Sequence, residues 1–200
     1  MKAIYLDTTK NMTIGILDGD YKWIKLIPFM ESRSTESLHF QILEMLKGLN
    51  LTIKDITTLF TVAGPGSYTG MRVSEGMAQI FRWQGIRTNS FYHFQVPELL
   101  GKKNYIFICK AFKGEFFLKG PEEEGLFDLS QMDKVLKKYR EDGVELFSHH
   151  QEGELKDFSF TNDIIAQNPF EIFSKVYEEN MAMTPFYFRP LEKEFKVSDV

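Results

Sequence analysis

Three groups of residues in this 200-residue chain have types and spacings that could do chemistry. The first is Asp7-Thr8-Thr9, an acid and two hydroxyls directly after the apolar run at 3–6. An acid at the end of a first strand is where ATPases of the actin-like superfamily bind phosphate, so these residues could be a vestigial phosphate site. Asp-Thr-Thr is also an ordinary polar turn. The second group is the stretch GPGSYTG, Gly64 to Gly70. Gly64, Gly66 and Gly70 permit positive φ or close backbone approach, and Pro65 stiffens the turn. Ser67 or Thr69 can cap a following helix, whose N-terminus favours anions. A Walker loop would need lysine after its last glycine, and none is there. The dinucleotide pattern G-x-G-x-x-G is missed by one residue, because three residues separate Gly66 from Gly70. A tight, capped strand-to-helix turn therefore competes with a phosphate cradle. The third group is the histidines His39, His93, His149 and His150, none at H-x-x-x-H or H-E-x-x-H spacing. Cys109, the only cysteine, sits in a buried-strand pattern and reads as core.

The helix that the loop opens has a face of its own. Gly70, Ser74 and Ala78 recur every four residues and let a second helix approach closely. Met71, Met77 and Phe81 add adaptable and bulky apolar surface. An earlier helical segment near 35–46 places Leu38, Ile42, Leu43, Met45 and Leu46 at helical spacing, with Ser34 or Thr35 to cap it and Gly48 to end it. Such faces pack either on the protein's own sheet or on another chain. The expectation carried forward is one exposed contact surface, with Leu38, Ile42 and Met45 from the first helix and Met71, Ser74, Glu75 and Ala78 from the second. Two such faces could supply the ~800 Å² per partner of a stable interface.

These groups need a scaffold. Residues 2–9 read as a strand, and two more join at Asp18-Gly19-Asp20, a strong hairpin signal. A helix, the buried strand ITTLFTVA and the glycine turn follow. After a break near Gly101 the order begins again, with YIFICKAF and EFFLKG flanking Lys113-Gly114. An amphipathic helix over LSQMDKVLKKYR, the strand VELFS and a late helix starting at Pro169 complete it. The pattern predicts a duplicated α/β architecture in two lobes, residues 1–100 and 101–200, with a last segment able to pack back on the first lobe. At 43% hydrophobic, with 19 phenylalanines, the chain can build cores heavy in aromatics. Its net charge of −4 and absence of basic runs argue against a protein that grips nucleic acid alone. One cysteine, no signal-peptide pattern at the start and no apolar stretch near ~20 residues point to a cytoplasmic protein with no membrane partner.

GPGSYTGMR closely resembles the G-P-G-S-F/Y-T-G-L-R signature of the TsaB (YeaZ) family, which serves the bacterial synthesis of threonylcarbamoyladenosine in tRNA. YLDTT, TESLHFQILEML, KAFKGEFF and PFYFRP resemble the family's other motifs, in the right order. Ser34 stands where the family often has histidine, and Gln79 and Ile80 where it usually has lysine and glycine. The resemblance implies two actin-like/Hsp70-like (ASKHA, ribonuclease-H-like) α/β lobes, the second reduced. It implies a non-catalytic subunit that binds a TsaD-type transferase, works with a TsaE-type ATPase, pairs with itself through the same surface and meets tRNA only indirectly. No cofactor belongs to the chain alone, though ATP or ADP could sit at a subunit junction, and any metal belongs to TsaD. The competing readings are a small actin-fold ATPase or phosphotransferase and a glycoprotease-like peptidase. The first would need a second phosphate loop, where KAFKGEFF offers only Lys113 and Glu115. The second would need a metal pair or a nucleophile motif.

Overall fold

The first strand, β1 (Ala3–Asp7), is buried along its whole length because both of its faces are covered. Ile4 and Leu6 point to one side and Ala3 and Tyr5 to the other, as the two-residue period of a strand requires. The protein is described here from a computed structural model, for residues 2–29, 37–112, 114–151, 153–155 and 157–189. β1 pairs antiparallel with β2 (Thr13–Leu17), and β2 with β3 (Trp23–Pro28). The β2–β3 turn closes where expected, with Asp18 Oδ1 accepting from the amides of Asp20 and Lys22 at 2.9 Å each. β4 (Thr58–Val62) lies parallel to β1, and β5 (Arg87–Phe91) parallel to β4, giving the order β3-β2-β1-β4-β5.

Helices α1 (Leu38–Gly48) and α2 (Tyr68–Trp83) cover the Ile4/Leu6 face. Ser34 and Thr35, the expected caps of α1, lie outside the described residues. The short α3 (Val96–Leu99) follows β5.

The second sheet repeats the plan. β6 (Tyr105–Lys110), β7 (Glu115–Lys119), β8 (Glu124–Asp128), β9 (Glu145–Ser148) and β10 (Ser159–Phe160) assemble in the order β10-β9-β6-β7-β8. The antiparallel and parallel pairings fall at the same places as in the first sheet. Two sheets with this order form a duplicated ribonuclease-H-like, actin-like architecture. The expected reduction of the second lobe is not in strand number, since each sheet has five. It shows in the two-residue β10 and in helix cover. Among the described α-helices only α4 (Met132–Glu141) packs on the Ile106/Ile108 face, while α5 (Thr161–Gln167) and α6 (Pro169–Glu178) return to the first sheet. There Ile165, Ile172, Phe173 and Val176 fill the core beside Tyr5, Phe60 and Phe91. The lobes meet over a second aromatic cluster of Phe94, Phe107, Phe117 and Phe147, with Phe186 and Phe188 packed against it.

Candidate functional site

Asp7 ends β1 in the middle of the first sheet, facing the second lobe, and is 1% exposed. A buried carboxylate is costly unless its oxygens are occupied. Oδ1 accepts from the Thr9 amide at 2.8 Å and the Thr9 hydroxyl at 2.6 Å, and Oδ2 accepts from Asn162 Nδ2 at 2.8 Å. His93 Nε2 lies 3.5 Å from Oδ2. Burial alone would raise the Asp7 pKa, but the His93 ring and the bonds from His93 and Thr9 outweigh it and hold the carboxyl below its usual range.

The Thr9 hydroxyl proton goes to Asp7, so at 2.8 Å from His93 Nε2 this oxygen accepts and the ring nitrogen donates. The other ring nitrogen, Nδ1, lies 2.9 Å from Thr161 Oγ1 in α5. This polarity removes His93 as a base for Thr9. The arrangement is a clasp that joins the end of β1 to the second half of the chain. It leaves Asp7 with no open oxygen aimed at a ligand.

The glycine loop closes on the same turn. The Ser67 amide donates to the Thr9 carbonyl at 2.6 Å, and the Thr8 hydroxyl donates to the Gly70 carbonyl at 2.7 Å, with Ser74 Oγ 3.0 Å away. Ser67, not Thr69, is the helix cap, accepting from the Gly70 amide at 3.2 Å. The glycines are needed for different reasons. Gly64 has φ +120°, whereas Gly66 and Gly70 are required by closeness. A Cβ on Gly66 would stand 2.3 Å from the Thr9 carbonyl oxygen, and one on Gly70 would stand 1.8 Å from that of Thr8. The loop therefore uses its backbone on the Asp7–Thr9 turn, and the phosphate-cradle reading loses its donors to an internal partner.

A cleft of about 560 Å³ lies between the lobes beside this junction, lined by Thr9, Ser67, Tyr68, Lys110, Phe112 and Phe186 among others. Behind it His149 is buried and stacks on His93, ring centroids 4.5 Å apart at 8°. His150 Nδ1 accepts from the Lys110 amide at 3.1 Å.

The expected contact surface requires a correction. Leu38, Ile42, Met45, Met71, Ser74 and Ala78 are all 4% exposed or less, and Leu38, Ile42, Met45 and Ala78 belong to the core under α1 and α2. Only Glu75 is partly exposed, and it pairs with Arg82 at 2.7 Å. The small residues Gly70 and Ser74 admit the Asp7–Thr9 turn. The outer faces of the same helices carry Phe40 and Leu43 on α1 and Ile80 and Trp83 on α2, with Trp83 80% exposed.

The sequence singled out Asp7, Thr8, Thr9 and the loop, which the structure brings together. It did not connect them with His93, Thr161 or Asn162. The histidines stood out only as lacking metal-ligand spacing, which says nothing of a clasp.

No protein-family model matches the chain, and no curated protein matches it by sequence. Solved structures do. YeaZ from Pseudomonas aeruginosa superposes with a TM-score of 0.52 at 13% identity, over 64% of this chain and 68% of that one. A protein described as uncharacterized, with similarity to peptidase YEAZ from Pseudomonas aeruginosa, gives a TM-score of 0.65 at 11% identity, over 94% of this chain and 99% of that one. At such identities the likeness is one of fold, and over nearly its whole length this chain has the two-lobed fold of the YeaZ-like structures.

Proposed function

We propose that the chain is a non-catalytic interaction subunit of the bacterial machinery that makes threonylcarbamoyladenosine in tRNA, and that it binds and supports a TsaD-type transferase in the cytoplasm. The observation that carries this reading is the apolar outer face of α1 and α2. Phe40 and Leu43 are 54% and 56% exposed, and Ile80 and Trp83 are 47% and 80% exposed. Residues three apart on a helix share a face, so each pair forms one patch. Large apolar side chains grouped at a surface mark an interaction site. The glycine-loop signature supports the family, and the saturated Asp7 supports a role other than phosphoryl transfer. A TsaE-type ATPase joins the larger assembly, ATP or ADP binds at a subunit junction, and other subunits hold the tRNA, in keeping with the net charge of −4. A homodimer would use the same face when the partner is absent. No helix among the described residues is long and apolar enough to cross a membrane.

The test is co-expression with the TsaD-type protein of the same cell and size-exclusion chromatography of the pair. The wild-type chain should elute as a complex. Ile80→Glu with Trp83→Ala should abolish it and shift the chain's own stability by about 0.5 kcal/mol or less per site, as exposed substitutions do. A wild-type chain that never forms the complex, or a double variant that forms it fully, overturns the reading.

A further inference from the structure

The seam between the lobes contains one group that its surroundings leave unsatisfied. His149 is 6% exposed, and neither Nδ1 nor Nε2 has a hydrogen-bond partner among the described residues. Buried polar atoms are almost always paired, and two unpaired nitrogens carry a cost that phenylalanine in the same slot would not. By shape the ring is an aromatic filler. It lies nearly parallel to His93 and to Phe107 of β6, the latter 5.7 Å away at 14°, with His150 at 4.1 Å and 42°. Packing explains the ring but not its nitrogens.

The titratable groups that face it are His93 from the turn after β5, its neighbour His150, and Lys10 from the turn after β1. Each is a cation or becomes one. Phe107 brings no charge. Asp7, the carboxylate in this seam, lies beyond His93 with its oxygens occupied by Thr9 and Asn162. A proton on His149 would therefore be buried with no described acceptor and with cations around it. Burial first, and then those charges, push its ionisation well below the usual histidine range. His93, on which it stacks, bonds Thr9 of the first lobe through one nitrogen and Thr161 of the second half through the other. What disturbs this stack disturbs the contact between the lobes.

We propose that His149 is a proton-operated release for the lobe junction. Neutral, it stacks on His93 and completes the seam. Protonated, it must leave for water, and the end of β9 from Ser148 to His150 then parts from the first lobe. The open seam exposes the ring, which takes up a proton near its ordinary pKa of about 6.5, while the closed seam keeps it neutral to lower pH. The closed-to-open ratio is therefore constant above that pH. Below it the ratio falls by up to about tenfold per pH unit until the closed-state value is reached.

The experiment is amide hydrogen exchange on the full chain at pH 7.5, 6.5 and 5.5, corrected for intrinsic rates. It compares peptides over 91–95 and 146–151 with β4 as the internal reference. Between pH 6.5 and 5.5 the seam peptides should lose about fivefold in protection while β4 keeps its own. His149→Phe should abolish that loss, as should His149→Leu if the larger ring overpacks. In the wild-type chain, the NMR signal of the His149 ring should titrate together with the opening. The proposal is overturned if seam protection does not change, if both variants lose as much as the wild type, if β4 loses protection in parallel, or if His149 titrates near 6.5 with the seam still closed.

Discussion

The two lobes repeat one topology and treat their first turn in opposite ways. In the first lobe the turn after β1 is buried, with Asp7, Thr8 and Thr9 each 2% exposed or less, and it is bonded to the glycine loop, His93 and Asn162. In the second lobe the matching turn after β6 carries Ala111 and Phe112, and the Phe112 ring stands 70% exposed at the interlobe cleft. Lys113 lies outside the described residues, and Gly114 turns the chain at φ +76°. Where β4 leads into a glycine loop, its counterpart β9 ends at Ser148 and leads into two histidines. The alternation of apolar residues is enough to copy the sheet. It does not copy the chemistry at the strand ends, which survives only where something holds the turn in place. A cleft with such an acid and loop on one side only has half of a phosphate clamp, and here that half is turned inward.

The largest expected effect lies where the first turn is tied. Gly70→Ala would put a Cβ 1.8 Å from the Thr8 carbonyl oxygen, a backbone atom that cannot move without breaking the Thr8 hydroxyl bond to Gly70. Overpacking against backbone should cost more than ~3 kcal/mol in urea unfolding. Gly76→Ala in the same helix is the control, because a Cβ there meets nothing within 4 Å. It should stabilise by about 0.5–1 kcal/mol through helix propensity alone. If both variants behave like the control, the turn is not tied as described.

Next comes the acid itself. Asp7→Asn keeps the size of the side chain but replaces an oxygen that accepts with a nitrogen that donates, facing the donors of Thr9 and Asn162. Leaving buried donors unpaired should cost about 2–4 kcal/mol at neutral pH. Because the folded pKa of Asp7 is depressed, its contribution is complete above the unfolded carboxylate value near 4. It is lost as pH falls through the lower folded value. The stability gap between the wild type and Asp7→Asn, measured by denaturant unfolding, should be flat from pH 8 to about 5 and narrow below about 4. A gap that stays open at the lowest pH, or none at neutral pH, would mean that the clasp does not depend on the charge.

The fold was largely legible because alternation and helical spacing are local. β1 to β4, β6, β7, β9 and helices α1, α2, α4 and α6 all fall where residue patterns place them. β5, with the polar sequence RTNSF, and the seven-residue α5 carry too little pattern to be seen alone. The clasp was illegible for a different reason. Asp7 and Asn162 are 155 residues apart, and Thr9 and His93 are 84 apart, so only the closed fold makes them neighbours. Helical periodicity also fails to say which of two apolar stripes faces the protein's own sheet. α1 has Leu38, Ile42 and Met45 on one side and Phe40 and Leu43 on the other, and the wider and more regular stripe went inside. In α2, Ser74 and Ala78 have the small size of an approach surface. What approaches is the chain's own turn and core, while the bulky Ile80 and Trp83 remain outside.

The smallest effect should come from the second turn, and its smallness is what the comparison requires. Phe112 is as apolar as any core residue, and burying such a ring contributes ~2–3 kcal/mol when complete. At 70% exposed it has little of that to lose. Phe112→Ala should therefore change unfolding free energy by no more than about 0.5 kcal/mol, within the usual range for surface sites, with no change in the denaturant slope. The neighbouring strands should hold without it, since Ala111 and Glu115 close the hairpin through a backbone bond of 2.8 Å and Leu129 donates to the Gly114 carbonyl at 2.8 Å. Urea unfolding of Phe112→Ala beside Asp7→Asn makes the contrast direct, because Asp7 opens the turn after β1 and Phe112 lies in the matching turn, two residues past the end of β6. A loss of 2 kcal/mol or more at Phe112 would show that the second turn is also held by its side chain, and the asymmetry between the lobes would then not be one of tethering.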